Sequence, residues 1–192
     1  MKKVWIKVAL VSAALFGFST AHAGFLVEPY AGFMLNGSSK VAGTKNDYSG
    51  SAFGARLGMT TFGLMYGIDY GLGAYTISDK TSADTKVDAT DAGVFVGYEF
   101  PILLRAWVTY DLSSQAKGKN SGYETTYKGK GLKVGVGYTG FPLVAINLEM
   151  FNNTYDKCTT NISVSTDCRT DAMGGSDVTT TGYLLSLSLP LP

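Results

Sequence analysis

Apolar and polar residues alternate with a period of two along most of the chain. One parity reads Val27, Pro29, Ala31, Phe33, Leu35, then Phe53, Ala55, Leu57, Met59, then Tyr66, Ile68, Tyr70, Leu72, Ala74. It continues through Ala92, Val94, Val96, Tyr98, then Leu104, Ala106, Val108, Tyr110, Leu112, then Leu132, Val134, Val136, Tyr138. Val144, Ile146, Leu148, Met150 and Tyr183, Leu185, Leu187, Leu189 complete it. Successive side chains of a strand point to opposite faces, so each run is the apolar face of one strand. The pattern predicts eight strands, near 25–36, 50–60, 64–76, 90–100, 103–112, 129–139, 143–153 and 180–190. Nothing after Phe18 is apolar for long enough to be a transmembrane helix, and no segment keeps a helical period.

The connections alternate as well. Those after strands two, four and six are tight: Phe62-Gly63, Pro101-Ile102-Leu103 and Gly140-Phe141-Pro142. Those after strands one, three, five and seven are expected to be long loops rich in Gly, Ser, Thr, Asp and Lys. Short turns on one rim and long loops on the other is the layout of bacterial outer-membrane barrels. Strands of about ten residues also match the ~9–11 that a tilted strand needs to cross a bilayer.

The two faces decide the solvent. No position of the apolar parity is charged, whereas the other parity carries Glu28, Arg56, Asp69, Glu99, Arg105, Asp111, Lys133 and Glu149 among many glycines. A water-soluble barrel with its apolar face inward would be coated by those glycines and few charges, a poor aqueous surface. Apolar-out with a polar lumen fits lipid, and a sheet in hydrocarbon must close because an open edge cannot be satisfied there. The predicted fold is all-β: an eight-stranded antiparallel up-and-down transmembrane barrel.

Residues 1–23 read as a cleavable secretory signal. Lys2, Lys3 and Lys7 precede an apolar stretch, Val8 to Phe18, and Ala21-His22-Ala23 supplies small residues before Gly24. The mature domain is then 24–192. Removing the three lysines takes the formal charge from +1 to −2, with no basic face for nucleic acid. Cys158 and Cys168 are then the two cysteines of an exported chain, and they are expected to form a disulfide in the fourth outer loop.

The organisation resembles the small eight-stranded outer-membrane β-barrel family that includes the OmpA transmembrane domain and OmpX. Val27-Glu28-Pro29-Tyr30-Ala31-Gly32 opens strand one, and Val96-Gly97-Tyr98-Glu99-Phe100-Pro101 closes strand four. The resemblance spans the mature chain and implies adhesion, envelope-integrity or stress-resistance roles, with outer-membrane lipid and lipopolysaccharide around the barrel. It departs from the family at the C-terminus, where such barrels usually end in Phe or Trp and this sequence ends Ser188-Leu189-Pro190-Leu191-Pro192.

Candidate chemistry is sparse. Enzymes that resemble this architecture use an essential His, and the only histidine here is His22, inside the signal segment. A Ser-His or Asp-His mechanism therefore lacks its base, and without His no transition-metal site is expected. Gly135-Val-Gly-Tyr-Thr-Gly140 matches G-x-G-x-x-G, but a strand follows it rather than a helix, so inward glycines thinning the wall explain it better than a phosphate site. Asp79, Asp84, Asp88 and Asp91 lack the spacing of a calcium loop and are expected in solvent. Lys117, Lys119, Lys128 and Lys130 read as loop lysines within reach of lipopolysaccharide phosphates.

The lumen charges carry a sharper expectation. Residues equidistant from a hairpin turn face each other. Arg56 then lies opposite Asp69, Glu99 opposite Arg105, and Lys133 opposite Glu149. Each short-turn hairpin would place one ion pair on the inner face, filling an interior barely wide enough for its own side chains. The expected function is non-enzymatic and cofactor-free, a plugged barrel meeting an extracellular ligand or surface partner through its loops. The alternative is a narrow channel for small solutes, and a lipid-modifying enzyme comes third.

Overall fold

The computed structural model describes residues 24–41, 44–78, 85–120, 123–160, 166–167 and 178–191. Residues 1–23, expected from the sequence to be a secretory signal, lie outside them, as do Asp79, Asp84 and Cys168. The strands are β1 Gly24–Val41, β2 Thr44–Thr61, β3 Leu64–Ser78, β4 Thr85–Phe100, β5 Leu104–Asn120, β6 Tyr123–Phe141, β7 Val144–Thr160, the two-residue β8 Thr166–Asp167, and β9 Val178–Ser188. Each long strand pairs antiparallel with its chain neighbours, and β9 pairs with both β7 and β1. Eight strands thus form one closed ring of hydrogen bonds with no free edge. The tail seals the seam further: Leu189 N–H donates to Pro29 C=O (3.0 Å), and Val27 and Leu191 exchange bonds of 3.1 and 2.9 Å.

The apolar parity faces outward as expected. None of its residues is buried, and a belt of Leu, Val, Ile, Phe and Tyr encircles the barrel, from Ile68 (55% exposed) to Val96 (53%) and Leu187 (56%). Water could not tolerate a continuous apolar band of this size on a monomer, whereas hydrocarbon requires one.

The strands run longer than the apolar pattern indicates. Within the expected loops at 37–49 and 113–128, the described residues 37–41, 44–49, 113–120 and 123–128 are instead strand, with Val41 opposite Thr44 and Asn120 opposite Tyr123. Outside the hydrocarbon a ladder needs no apolar outer face, so its Ser, Thr, Lys and Gly positions hide the continuation. Inward tyrosines hold these extensions together, with Tyr48 packed edge-on against Tyr75 (5.4 Å) and Tyr127 against Tyr155 (6.3 Å).

The short turns depend on left-handed backbone. Phe62 (φ 51°) and Gly63 (φ 80°) both occupy it, as a two-residue hairpin turn demands. The third turn differs from expectation. Phe141 pairs with Val144, so the reversal falls on Pro142-Leu143, with Leu143 at φ 64°. Bulges after Met34, between Asp111 and Ser114, and beside Lys128 shift the pairing. Each extra residue turns the other parity inward, so Gly37 and Ser39 follow Met34 into the lumen and Ser114 and Ala116 follow Asp111.

Candidate functional site

The inward parity assembles a polar lumen in two tiers. The tier nearer the short-turn rim contains Glu28, Arg56, Arg105 and Glu149, each no more than 2% exposed. Arg56 bonds Glu28 Oε1 (3.2 Å) and Glu149 Oε1 (2.7 Å). Arg105 grips the Glu28 carboxylate with both terminal nitrogens, donating to Oε2 at 2.9 Å and more closely to Oε1. It also reaches Asn147 Oδ1 (2.7 Å) and Ser188 Oγ (3.0 Å). Trp107 lies beneath both guanidinium groups, 4.3 Å from Arg56 and 5.2 Å from Arg105, and donates its N–H to Glu149 (3.4 Å). Two positive and two negative charges therefore balance within one hydrogen-bonded, stacked cluster.

The second tier centres on Lys133. Its ammonium is 3.3 Å from Asp69, 3.3 Å from Asp111 and 3.9 Å from Asp91. Tyr30 donates to Asp69 (3.1 Å), Ser114 to Asp91 (2.6 Å), and Asn153 Nδ2 to Ser114 (3.0 Å).

Inward glycines make room for these large groups. A methyl on Gly135 would lie 2.2 Å from the Trp107 ring, and one on Gly137 would lie 2.5 Å from Asn147 Oδ1 and 2.7 Å from Arg105 Nε. Two glycines of the G-x-G-x-x-G stretch are thus a thinned wall against which Trp107 and Arg105 lie.

Seven of the eight charges singled out in the sequence meet in the lumen, but in other partnerships. Arg56 and Asp69 are in register, yet Arg56 turns to Glu28 and Glu149 while Asp69 takes Lys133. Glu99 is opposite Arg105 but stays half-buried at the short-turn rim and joins none of the lumen ion pairs, because Arg105 extends across the barrel to Glu28. Lys133 faces Phe151, and Glu149 faces Gly135, because the irregularity at the third turn shifts the register. Hairpin neighbours share a face, but in so narrow a barrel long side chains reach the axis and choose partners from any strand.

Some members escaped the sequence reading. Asp91, expected in solvent, lines the lumen; its parity with Gly93 and Phe95 was the available signal. Trp107, Asn147 and Ser188 were legible in the same way. Asp88, Lys117, Lys119, Lys128 and Lys130 are exposed on strand extensions. Cys158 is in β7 opposite Thr166, and the expected bridge to Cys168 involves a residue outside those described.

No protein-family model and no curated protein sequence matches the chain. Among solved structures, the Neisserial surface protein NspA superposes with a TM-score of 0.60 at 16% identity, over 88% of this chain and 99% of that one. The outer membrane protein OprG of Pseudomonas aeruginosa aligns at 0.44 and 11% identity over 89% and 96% of the two chains. The outer membrane protease OmpT of Escherichia coli aligns at 0.36 and 11% identity over 90% and 100%. The last two alignments are too loose to argue from. The closed ring of eight strands, the apolar belt, the polar lumen and the NspA superposition together give this chain the fold of the small eight-stranded outer-membrane β-barrel proteins.

Proposed function

We propose that the chain is exported to the outer membrane and acts there without catalysis, as a plugged barrel presenting its long hairpins to the exterior. The carrying observation is the tier of Glu28, Arg56, Arg105 and Glu149. These side chains meet from four strands and are withdrawn from water on every side. A conducting path would have to pass through them, and breaking such pairs costs several kcal/mol. Catalysis finds no support either: the sequence has no histidine beyond His22, and the lower-tier carboxylates are occupied by guanidinium groups. Outer-membrane lipid would surround the belt, with lipopolysaccharide beside the exposed lysines of the extensions. Adhesion or envelope integrity is the class of role that fits, through a surface partner met by the hairpins.

Planar-bilayer recording on the purified barrel tests the reading, alongside membrane fractionation. A plugged barrel gives no steady conductance, fractionates with the outer membrane and migrates faster on a gel unheated than boiled. Steady single-channel currents would instead establish the narrow channel, and recovery in the soluble periplasm would overturn the membrane assignment.

A further inference from the structure

Beyond the sealed tier, toward the long-hairpin rim, the lumen widens into a pocket with about 60 Å³ of water-sized space, room for roughly four waters. Tyr48, Tyr75 and Tyr155 wall it, and Asp91, Lys133 and Asn153 form its floor. Charge at this floor does not balance. Lys133 faces three carboxylates, those of Asp69, Asp91 and Asp111, leaving a formal excess of two negative charges where the tier beneath is neutral.

Hydrogen bonding is unbalanced at the same place. The Ser114 hydroxyl is 2.6 Å from Asp91 Oδ1 and 3.3 Å from the Tyr155 hydroxyl. Its only proton goes to the nearer, charged acceptor, so it can serve Tyr155 and Asn153 only as an acceptor. Asn153 must therefore present Nδ2 to Ser114, which fixes its Oδ1 on the opposite side. That oxygen is buried, Asn153 being 4% exposed, and it has no donor. It and Asp111 Oδ2 both crowd against Gly131, where a methyl would lie 2.0 Å from the first and 2.9 Å from the second. The Asp111 carboxylate has the Lys133 ammonium 3.3 Å from Oδ1 and no other donor among the described residues. The pocket floor thus carries an acceptor without a donor, Asn153 Oδ1, beside surplus negative charge.

We infer that this pocket binds a slender organic ammonium, its cationic head donating to Asn153 and Asp91 at the floor, with Asp111 adding negative charge behind Lys133, and its aliphatic stem lying along the tyrosines. A protonated amine supplies the missing donors and charge together, and tyrosine faces attract cations as well as burying methylene groups. The narrowness of the pocket selects an unbranched chain. This goes beyond the plugged-barrel reading and is independent of conductance, since the sealed tier lies below the pocket whether or not the hairpins meet a partner.

Isothermal titration of the detergent-purified barrel with 1,4-diaminobutane and 1-aminobutane tests the inference, with uncharged 1,4-butanediol and sodium chloride as controls. The amines should bind saturably at one site and raise the unfolding midpoint, and the diol should not. Asp111→Asn places an N–H donor beside Asn153 Oδ1 and removes one charge, so it should fold while weakening amine binding by about tenfold or more. Asp91→Asn should do likewise, and carries the test should the first variant fail to fold. Absence of saturable amine binding would overturn the inference and point to a proton or water at the acceptors. Binding unchanged in both variants would overturn it equally, by placing the amine elsewhere.

Discussion

Replacing Arg56 with Met tests the lumen network most directly. The thioether keeps much of the side chain's apolar length but removes the charge and the guanidinium that lies over Tyr30 and Trp107. Two contacts vanish, at 2.7 Å to Glu149 and 3.2 Å to Glu28. The two carboxylates suffer unequally. Glu28 keeps both nitrogens of Arg105, whereas Glu149 keeps only the Trp107 N–H at 3.4 Å. One glutamate is therefore left charged and nearly unpartnered at 2% exposure. Stranding a buried charge costs about 3–5 kcal/mol, and burial this deep allows little relief from screening. Adding Glu149→Gln neutralises the stranded group, so the double variant should lose less than the two single losses combined, with a coupling of about 1–3 kcal/mol. The Glu99/Arg105 pair, directly opposite in register, should show coupling near zero because no ion pair joins it. Urea unfolding in lipid vesicles measures both cycles. Trp107, the only tryptophan after Trp5, sits under the two guanidinium groups and reports the transition. Equal coupling in the two cycles, or none for Arg56/Glu149, would refute the cross-lumen pairing.

Two further outcomes follow from the wall and the belt. Gly135→Val should destabilise the barrel by about 1–3 kcal/mol by overpacking, since its Cβ would lie 2.2 Å from the Trp107 ring; urea midpoints check this, and a neutral result would show that the ring can move aside. Ile68→Lys, on the outward face at 55% exposure, should cost about 2–4 kcal/mol in a bilayer; an unchanged unfolding free energy in vesicles would place that face in water.

The fold was legible because one solvent imposed one rule. Hydrocarbon outside the barrel forces Val94, Val96, Leu132, Val134 and their counterparts to alternate with inward glycines and charges, and a period of two survives any uncertainty about strand ends. Where the ladder leaves the hydrocarbon, that rule stops applying, and 37–49 and 113–128 look like loops although their described residues are strand. Bulges are hidden for a related reason. Ser113 and Ser114 are chemically identical, yet the first is exposed and the second fully buried beside Asp91. Nothing local distinguishes them, because the choice follows from the shifted pairing with β4 and β6. The ion pairs were half legible: parity places Arg56, Arg105 and Lys133 inside, but hairpin symmetry pairs only neighbours, and an arginine is long enough to cross the lumen.

The two tiers divide the work of the interior according to how completely each satisfies itself. In the lower tier two arginines and two glutamates cancel, Trp107 and the glycine-thinned wall fix the guanidinium planes, and Asn147 and Ser188 take up further donors. Such a cluster recovers its desolvation cost because its four charges cancel and are mutually bonded, although the Nε of each arginine is left without an acceptor. Removing one arginine therefore strands its carboxylate, and the loss appears as stability. The upper tier is unfinished by the same standard, with one ammonium among three carboxylates and acceptors of Asp111 and Asn153 left open. Neutralising a carboxylate there removes a repulsion as well as an attraction, so Asp111→Asn should leave the empty barrel as stable as before or more so. A substitution that is costly in one tier and free in the other separates a seal from a site, and the open acceptor of Asn153 lies on the side where the lumen widens.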